Sequence, residues 1–254
     1  MAWSGHYKDL FFELVKKDIK VRYKNSYLGY FWSLANPLLL SLVFYYLFKV
    51  VSKVDVENYA LFLISALFVW QWILNSVIAG TTLYHENASL IKKVNFPRNF
   101  LVLSLVTSEG FNFLASIPIL IGFILYYGLS LHAIWIVGIP LLLAITIVTI
   151  YSISLIVATL NLFFRDIERI MGIFMTFMFY LTPVLYPLSM IPDEYRYIVY
   201  INLFAPLIIS WRRLFLDGSF DLTFLLLATL YSIVLYFFAS KIYGKLKYKF
   251  AELV

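Results

Sequence analysis

The run GFNFLASIPILIGFILYYGLSLHAIWIVGIPLLLAITIVTIYSISLIVATLNLFF, residues 110–164, contains no Asp, Glu, Lys or Arg. It is more than twice as long as the roughly 20 apolar residues that a helix needs to cross a hydrocarbon core of about 30 Å. Turn-forming residues interrupt it near Tyr127, Gly128 and Ser130, and a second apolar segment starts near residues 133–135. The run therefore predicts two antiparallel membrane-spanning helices joined by a short turn.

Shorter uncharged gaps on both sides of this run predict the remaining spans. These gaps are residues 25–48, 58–85, 170–192 and 222–240. The composition agrees, because 63% of the residues are hydrophobic, 13% are charged and the mean hydropathy is +0.87, whereas soluble domains carry about 25% charged residues. The sequence predicts an all-α membrane protein with six transmembrane helices.

The distribution of Lys and Arg gives the topology. Residues 197–211 are also uncharged but are too short to cross comfortably. With six spans and both termini cytoplasmic, 15 of the 20 Lys and Arg residues lie in inside segments, and a seventh span would weaken this asymmetry. We therefore predict a re-entrant segment between spans five and six, where Pro183 and Pro187 bend or end the helix.

The start of the chain predicts an amphipathic interfacial helix and not a signal peptide. Apolar residues recur at helical spacing on one face; they are Tyr7, Leu10, Phe11 and Leu14. The alternative is a solvated basic arm. One domain, 1–254, is expected, with a cytoplasmic interfacial segment at 1–33, the six-span bundle at 34–243 and a cytoplasmic tail at 244–254.

Two prolines predict where helices begin. Asn36 and Pro37 suit the N-cap and first turn of span one, and Pro97 suits the start of span three.

The sequence lacks the motifs of an enzyme active site. It has no cysteine, its three histidines have no metal-ligand spacing, and no acyl-transfer or phosphate-binding motif occurs. We expect no catalytic residue, no metal site and no cofactor bound by this chain. The net charge of +6 is explained by lysines near anionic lipids and does not imply nucleic acid.

Glu109 is the one formal charge that could lie inside a span. An ionisable residue at such depth is a functional hypothesis by default. If residues 100–108 form a separate interfacial segment and the span starts at Phe111, Glu109 instead lies near the headgroups. The sequence leaves both placements open.

Aromatic residues are abundant, with 24 Phe, 20 Tyr and 6 Trp. Most are explained by lipid contact and interfacial belts. A subset along spans one and five could stack on sugar rings and line a carbohydrate path, the alternative being packing. This subset is Phe31, Trp32, Tyr45, Phe174, Phe177 and Tyr180.

Four stretches together resemble the permease subunits of ATP-binding-cassette (ABC) transporters that export bacterial surface polysaccharides. They are KDIKVRYK at 17–24 with the LG and NP pairs that follow, KKVNFPR at 92–98, NLFFRDI at 161–167, and LTP at 181–183 continuing through YP at 186–187 to Pro206 and Trp211-Arg212. The family often has Arg in place of Lys17, Pro in place of Asn95 and Asn in place of Ala205. The first departure keeps the charge, and the other two bear on loop geometry and not on the resemblance itself.

The resemblance implies a half-transporter of the bacterial inner membrane. Two copies of the permease would pair with two copies of a cytoplasmic ABC ATPase, which binds ATP and Mg. A lipid-linked polysaccharide would then pass between the permeases, with O-antigen as the first expectation and capsule or teichoic acid as alternatives.

The resemblance also implies two groups of working residues. The expected ATPase-coupling residues are Tyr84, Glu86, Asn87, Ser89, Arg165, Asp166 and Ile167. For the charged cluster Arg165, Asp166, Glu168 and Arg169, the alternative is helix capping and headgroup binding. The expected outer gate consists of Pro183, Pro187, Asn202 and Pro206.

Two other functions are consistent with parts of the sequence. A membrane enzyme acting on lipid-linked sugars would need paired carboxylates, which Asp55 with Glu57 and Asp193 with Glu194 offer. An ion-coupled secondary transporter should show broken helices in matching halves, and the broken segment is visible only in the second half.

Overall fold

The computed structural model describes residues 2–23 and 29–250, and all regular elements in these ranges are helical. The main helices are α1 (Ala2–Tyr23), α2 (Gly29–Tyr45, continued by a π-helical segment Tyr46–Val51), α3 (Tyr59–Glu86), α4 (Ala88–Lys93), α5 (Asn99–Tyr126), α6 (Trp135–Asn161), α7 (Ile167–Leu181), α8 (Tyr197–Ile201), α9 (Ala205–Asp217) and α10 (Leu222–Leu246). Residues 24–28 of the first resembling stretch and residues 251–254 of the predicted tail lie outside the described residues.

Within the described residues, five helices are long and apolar enough to cross a membrane. They are Phe31–Val51, Tyr59–Glu86, Asn99–Tyr126, Trp135–Asn161 and Leu222–Lys249. The pair Asp193–Ile201 and Ala205–Asp217 gives a sixth candidate if it counts as one span, although its two parts meet at 98°. The predicted fold class is confirmed, including the turn before α6, where Gly128 has the positive φ of 70° that glycine adopts without strain.

The predicted fifth span is the one that differs in detail. Its helix, α7, has only 15 residues and is therefore about 22 Å long, which is shorter than a hydrocarbon core of about 30 Å. It ends at Leu181, because Pro183 has no backbone N–H to continue the helical ladder.

The start of α2 also differs from the prediction. This helix begins at Gly29, so Pro37 lies inside it and Asn36 is not its N-cap. Membrane helices tolerate an internal proline where neighbouring groups satisfy the freed backbone. The proposed N-cap was therefore wrong, whereas Pro97 does lie at the start of α5, one residue before its N-cap Arg98.

Helix α3 lies at the centre of the bundle. It packs against α2, α5, α6, α7 and α9. Its Trp72 is buried, donates its indole N–H to the Val106 carbonyl at 3.0 Å and stacks on Phe113. A Cβ at Gly110 would lie 2.9 Å from the Trp72 ring, so glycine there permits the close approach of α3 and α5.

Helix α1 packs on α5 through the apolar face that the sequence predicted. Leu14 is buried, and the rings of Tyr7 and Phe11 lie 5.8 and 6.5 Å from that of Phe100. Farther along, Asp18 accepts a 2.9 Å hydrogen bond from Ser104 of α5. The helix is therefore fixed to the bundle by both apolar and polar contacts.

One end of the bundle, called here the α4 end, gathers α1, α4, the start of α5 and the end of α10. Lys17 of α1 donates a hydrogen bond to Asn87 beside α4. Arg98 donates to the Lys247 carbonyl at 2.9 Å, and the Tyr84 ring lies 5.0 Å from that of Phe250. The two ends of the described chain thus meet on the same side of the bundle.

Candidate functional site

A groove of about 770 Å³ opens on the side of the bundle between α2, α3 and α5. Its volume lies within the range of about 300–1,000 Å³ that is usual for small-molecule sites. Its polar lining is unusual for such an apolar chain and includes Asn36, Gln71, Asn75, Thr82, Glu109 and Asn112. The groove is the candidate functional site.

A chain of hydrogen bonds connects the polar side chains of α3 and α5. The Gln71 amide donates to Asn75 Oδ1 at 2.7 Å. Glu109 Oε2 accepts from Asn75 Nδ2 at 3.4 Å and from Asn112 Nδ2 at 3.1 Å. These hydrogen bonds therefore converge on one carboxylate, which accepts from two amides.

Glu109 is buried, with 3% of its surface exposed. Residues 100–108 are the first turns of the same continuous helix, α5. The interpretation that treated them as a separate interfacial segment is therefore wrong. The structure places the carboxylate inside a candidate span, where an ionisable group is a functional hypothesis.

The groove extends from the α4 end towards the middle of the bundle. Gln71 and Thr82 both line it, and both belong to α3. At 1.5 Å per residue they are about 16 Å apart along the axis, which is about half of the hydrocarbon thickness. Glu168, in the first turn of α7, also lines the groove.

The predicted aromatic path residues lie on the exposed faces of α2 and α7. All six are exposed, from 37% for Tyr45 to 63% for Phe177. The rings of Phe44 and Phe179, 5.8 Å apart, connect the two helices. Of the six, only Trp32 lines the groove. The two aromatic rows therefore belong to neighbouring helices, and five of their residues lie outside the polar groove.

The predicted coupling residues divide into an exposed and a buried set. Glu86, Ser89, Arg165 and Asp166 are exposed, and Ile167 is half-buried against the core. In contrast, Tyr84 is fully buried against Phe250, and Asn87 is buried between Lys17 and the Leu83 carbonyl. In this conformation the side chains of Tyr84 and Asn87 therefore pack inside the protein, beneath the segment around α4, and do not face a partner.

The predicted gate residues lie at the opposite end of the bundle. Pro183 and Pro187 belong to the turn after α7 (residues 182–187), Asn202 follows α8, and Pro206 lies in the first turn of α9. Pro183, Asn202 and Pro206 are buried, and Pro187 is half-buried. Asn202 Nδ2 donates to Thr182 Oγ1 at 3.1 Å, while its Oδ1 accepts from the backbone N–H of Phe204 at 2.8 Å. Asn202 thus joins the end of α7 to the start of α9.

Arg212 of α9 is the functional candidate that sequence reasoning did not single out. Its two Nη atoms donate to the carbonyls of Pro183 at 2.7 Å and Val184 at 2.8 Å. Its guanidinium lies 3.6 Å from the centre of the Phe62 ring. Tyr59 donates to the next carbonyl, that of Leu185, at 2.7 Å. Three consecutive carbonyls of the turn are therefore held by side chains.

The sequence contains a signal for Arg212, although a weak one. It is a cation inside a helix whose other inner residues are uncharged and mostly apolar. The topology prediction counted Arg212 among the five Lys and Arg residues outside the inside segments, and so did not consider it as a buried residue. Only its burial, with 8% of its surface exposed, shows that the guanidinium faces protein.

Comparison with known proteins gives one family and several close relatives. The family described as ABC-2 type transporter matches residues 9–216. An O-antigen export system permease protein RfbA of Klebsiella pneumoniae is 42% identical over 98% of this chain and 96% of its own length. The protein of the same name in Myxococcus xanthus is 32% identical over 97% of this chain and 95% of its own length.

Proposed function

The chain belongs to the ABC-2 type transporter family, and from this premise we propose that it exports a lipid-linked polysaccharide of the O-antigen type across the bacterial inner membrane. The chain is the membrane subunit of an ABC polysaccharide exporter and is not itself an enzyme. The cargo follows from the names of its relatives. Membership of this family argues against the two alternative functions, a membrane enzyme acting on lipid-linked sugars and an ion-coupled secondary transporter.

The observation that carries the proposal is the polar groove in an apolar bundle. Lipid tails cannot satisfy the hydrogen bonds of its amides and of Glu109, so the groove must face water, protein or a polar cargo. A second copy of the chain, placed against the exposed faces of α2 and α7, would cover the groove and leave a conduit between the two copies. This arrangement would also bring the aromatic rows of both copies next to that conduit.

The α4 end is the proposed docking surface for the ATPase. Its exposed coupling residues come from two separate segments, the one around α4 and the one before α7. The second segment lies at this end because Asn161, at the end of α6, donates to the Thr81 carbonyl in the last turns of α3. Two copies of the ATPase, which bind ATP and Mg, would drive the two permeases. Lys92 and Lys93 of α4 also lie at this end, and this placement supports a cytoplasmic α4 end and therefore cytoplasmic termini.

The turn after α7 is the proposed outer gate. Replacing Pro183 by Ala restores a backbone N–H and lets α7 extend into the turn, so we expect severalfold slower export with ATPase binding intact. The measurement is surface polysaccharide over time after induction, together with the ATPase retained by the tagged permease.

Pro192→Ala is the matched control for this variant, because Pro192 is exposed and lies outside the turn. It should export normally. Normal export by the Pro183→Ala variant would remove the gate role from this turn.

Copurification and deletion together test the proposed function. The tagged chain should retain a nucleotide-binding subunit that hydrolyses ATP, and cells without the chain should accumulate the polysaccharide on the inner side of the membrane. A chain that purifies without such a subunit, in cells whose polymer still reaches the surface without it, would overturn the proposal.

A further inference from the structure

The polar centre of the groove is built from three side chains on two helices. Asn75 of α3 and Asn112 of α5 both donate to Glu109, which is buried beneath them. An amide that can otherwise rotate is thereby fixed in orientation. The two amides are half-buried and line the groove, so they can contact a cargo directly while Glu109 positions them.

The charges of the groove restrict the kind of cargo that this centre can bind. Its lining includes two carboxylates, Glu109 and Glu168, and contains no Lys or Arg among the described residues that form it. A phosphate or pyrophosphate group would be repelled there. Amides and a carboxylate instead match hydroxyl groups, which both donate and accept hydrogen bonds. Trp32 in the groove wall adds an aromatic face for an apolar ring surface.

We propose that Asn75 and Asn112, positioned by Glu109, bind the hydroxyl groups of uncharged sugar units in the half of the transport path nearest α4. This inference rests on the proposed function and adds to it a binding site and a class of ligand. The lipid-linked phosphate end of the cargo has to be bound elsewhere.

A single introduced cysteine can report whether sugar occupies the groove, because the chain has no cysteine of its own. Ala79 lines the groove next to Asn75, so Ala79→Cys changes the lining little. Tyr248→Cys is the control, because Tyr248 is 77% exposed at the α4 end, where the probe can reach it, and does not line the groove. The probe is a membrane-impermeant maleimide applied to inside-out vesicles of cells that either make or do not make the polysaccharide.

The maleimide should label the cysteine at position 79 in vesicles without polysaccharide, and labelling should slow severalfold when the polysaccharide is present. Adding Glu109→Leu should remove this protection. The cysteine at position 248 should be labelled at the same rate with and without polysaccharide. Equal labelling at position 79 with and without polysaccharide, in a complex that exports normally, would overturn the inference and leave the proposed function intact. A complex without ATPase or export would instead contradict the proposed function.

Export by variants of the centre gives a second readout. Glu109→Leu should reduce surface polysaccharide about tenfold, equivalent to about 1.4 kcal/mol, because both amides lose the acceptor that orients them. Glu109→Gln, which keeps the size and one acceptor, should export at an intermediate rate. Asn112→Ser, which keeps α5 intact but shortens the donor, should also lose the polysaccharide-dependent protection at position 79.

Glu57→Gln is the control for charge, because Glu57 is exposed and lies before α3. It should not change export. If the Glu109→Leu variant fails to assemble with the ATPase, the Asn112→Ser variant decides the question. Wild-type export together with full protection in Asn112→Ser would overturn the role of the amide.

Discussion

Replacing Arg212 by Met is expected to destabilise the protein by roughly 2–6 kcal/mol and to abolish export, because two buried carbonyls lose their donors at about 1–3 kcal/mol each. The lost donors are the two Nη groups that hold Pro183 and Val184. The packing of the guanidinium on the Phe62 ring is lost as well. Thermal unfolding of the purified complex and surface polysaccharide measure the two effects.

Two variants separate the geometry of the guanidinium from its charge. Arg212→Lys keeps the cation but cannot present the planar fork to two carbonyls, so it should fall between wild type and Arg212→Met. Arg213→Met is the matched control, since the Arg213 side chain is 43% exposed and lies 3.7 Å from Asp221. Such a pair contributes about 0–1 kcal/mol. Equal unfolding temperatures for the Arg212→Met and Arg213→Met variants would contradict the assigned role of Arg212.

Exchanging the charges of Arg165 and Asp166, as Arg165→Glu with Asp166→Lys, is expected to reduce the ATPase retained by the tagged permease at least about tenfold, equivalent to about 1.4 kcal/mol. Both residues are exposed at the proposed docking surface, so the exchange leaves the core and the net charge unchanged. Charge complementarity across an interface would be reversed. Copurification and ATP hydrolysis by the complex measure the result, with the unfolding temperature as a check of folding.

The opposite end of the bundle offers a matched exchange. Asp193 and Arg196 form an exposed ion pair at 2.9 Å, and Asp193→Lys with Arg196→Glu should leave ATPase retention unchanged. If both double variants lose the ATPase equally, the effect is not specific to the α4 end. If neither loses it, Arg165 and Asp166 have no role in docking.

Much of the fold could be predicted because lipid tails solvate neither charged side chains nor unpaired backbone groups. Uncharged runs of sufficient length mark helices, and residues 110–164 indeed contain most of α5, the connecting turn and all of α6. Helix ends were harder to predict. Pro37 did not begin α2, and α7 is shorter than its uncharged gap. A gap between charges limits where a helix can cross the membrane. The residues at which the helix begins and ends depend on its terminal backbone hydrogen bonds, which neighbouring helices influence.

The candidate site could be predicted only in part. The aromatic residues of α7 were identified from their spacing and those of α2 from their position at the first span. The groove lies mainly beside them and is lined by amides that the sequence analysis did not single out. Tyr84 was expected at a docking surface and is fully buried. Residue type alone does not distinguish a tyrosine that faces a partner from one that fills the core.

The sequence by itself determined that this chain lies in a membrane as a helical bundle, since composition and charge spacing depend only on the transfer of each segment from water to lipid. It also determined the family, through motifs retained in order. Only the tertiary structure decided that Glu109 is shared by two amides, and that Arg212 holds the carbonyls of a turn 28 and 29 residues away in sequence. These contacts join side chains from different helices, and their energies depend on distances and burial that exist only after the helices have packed.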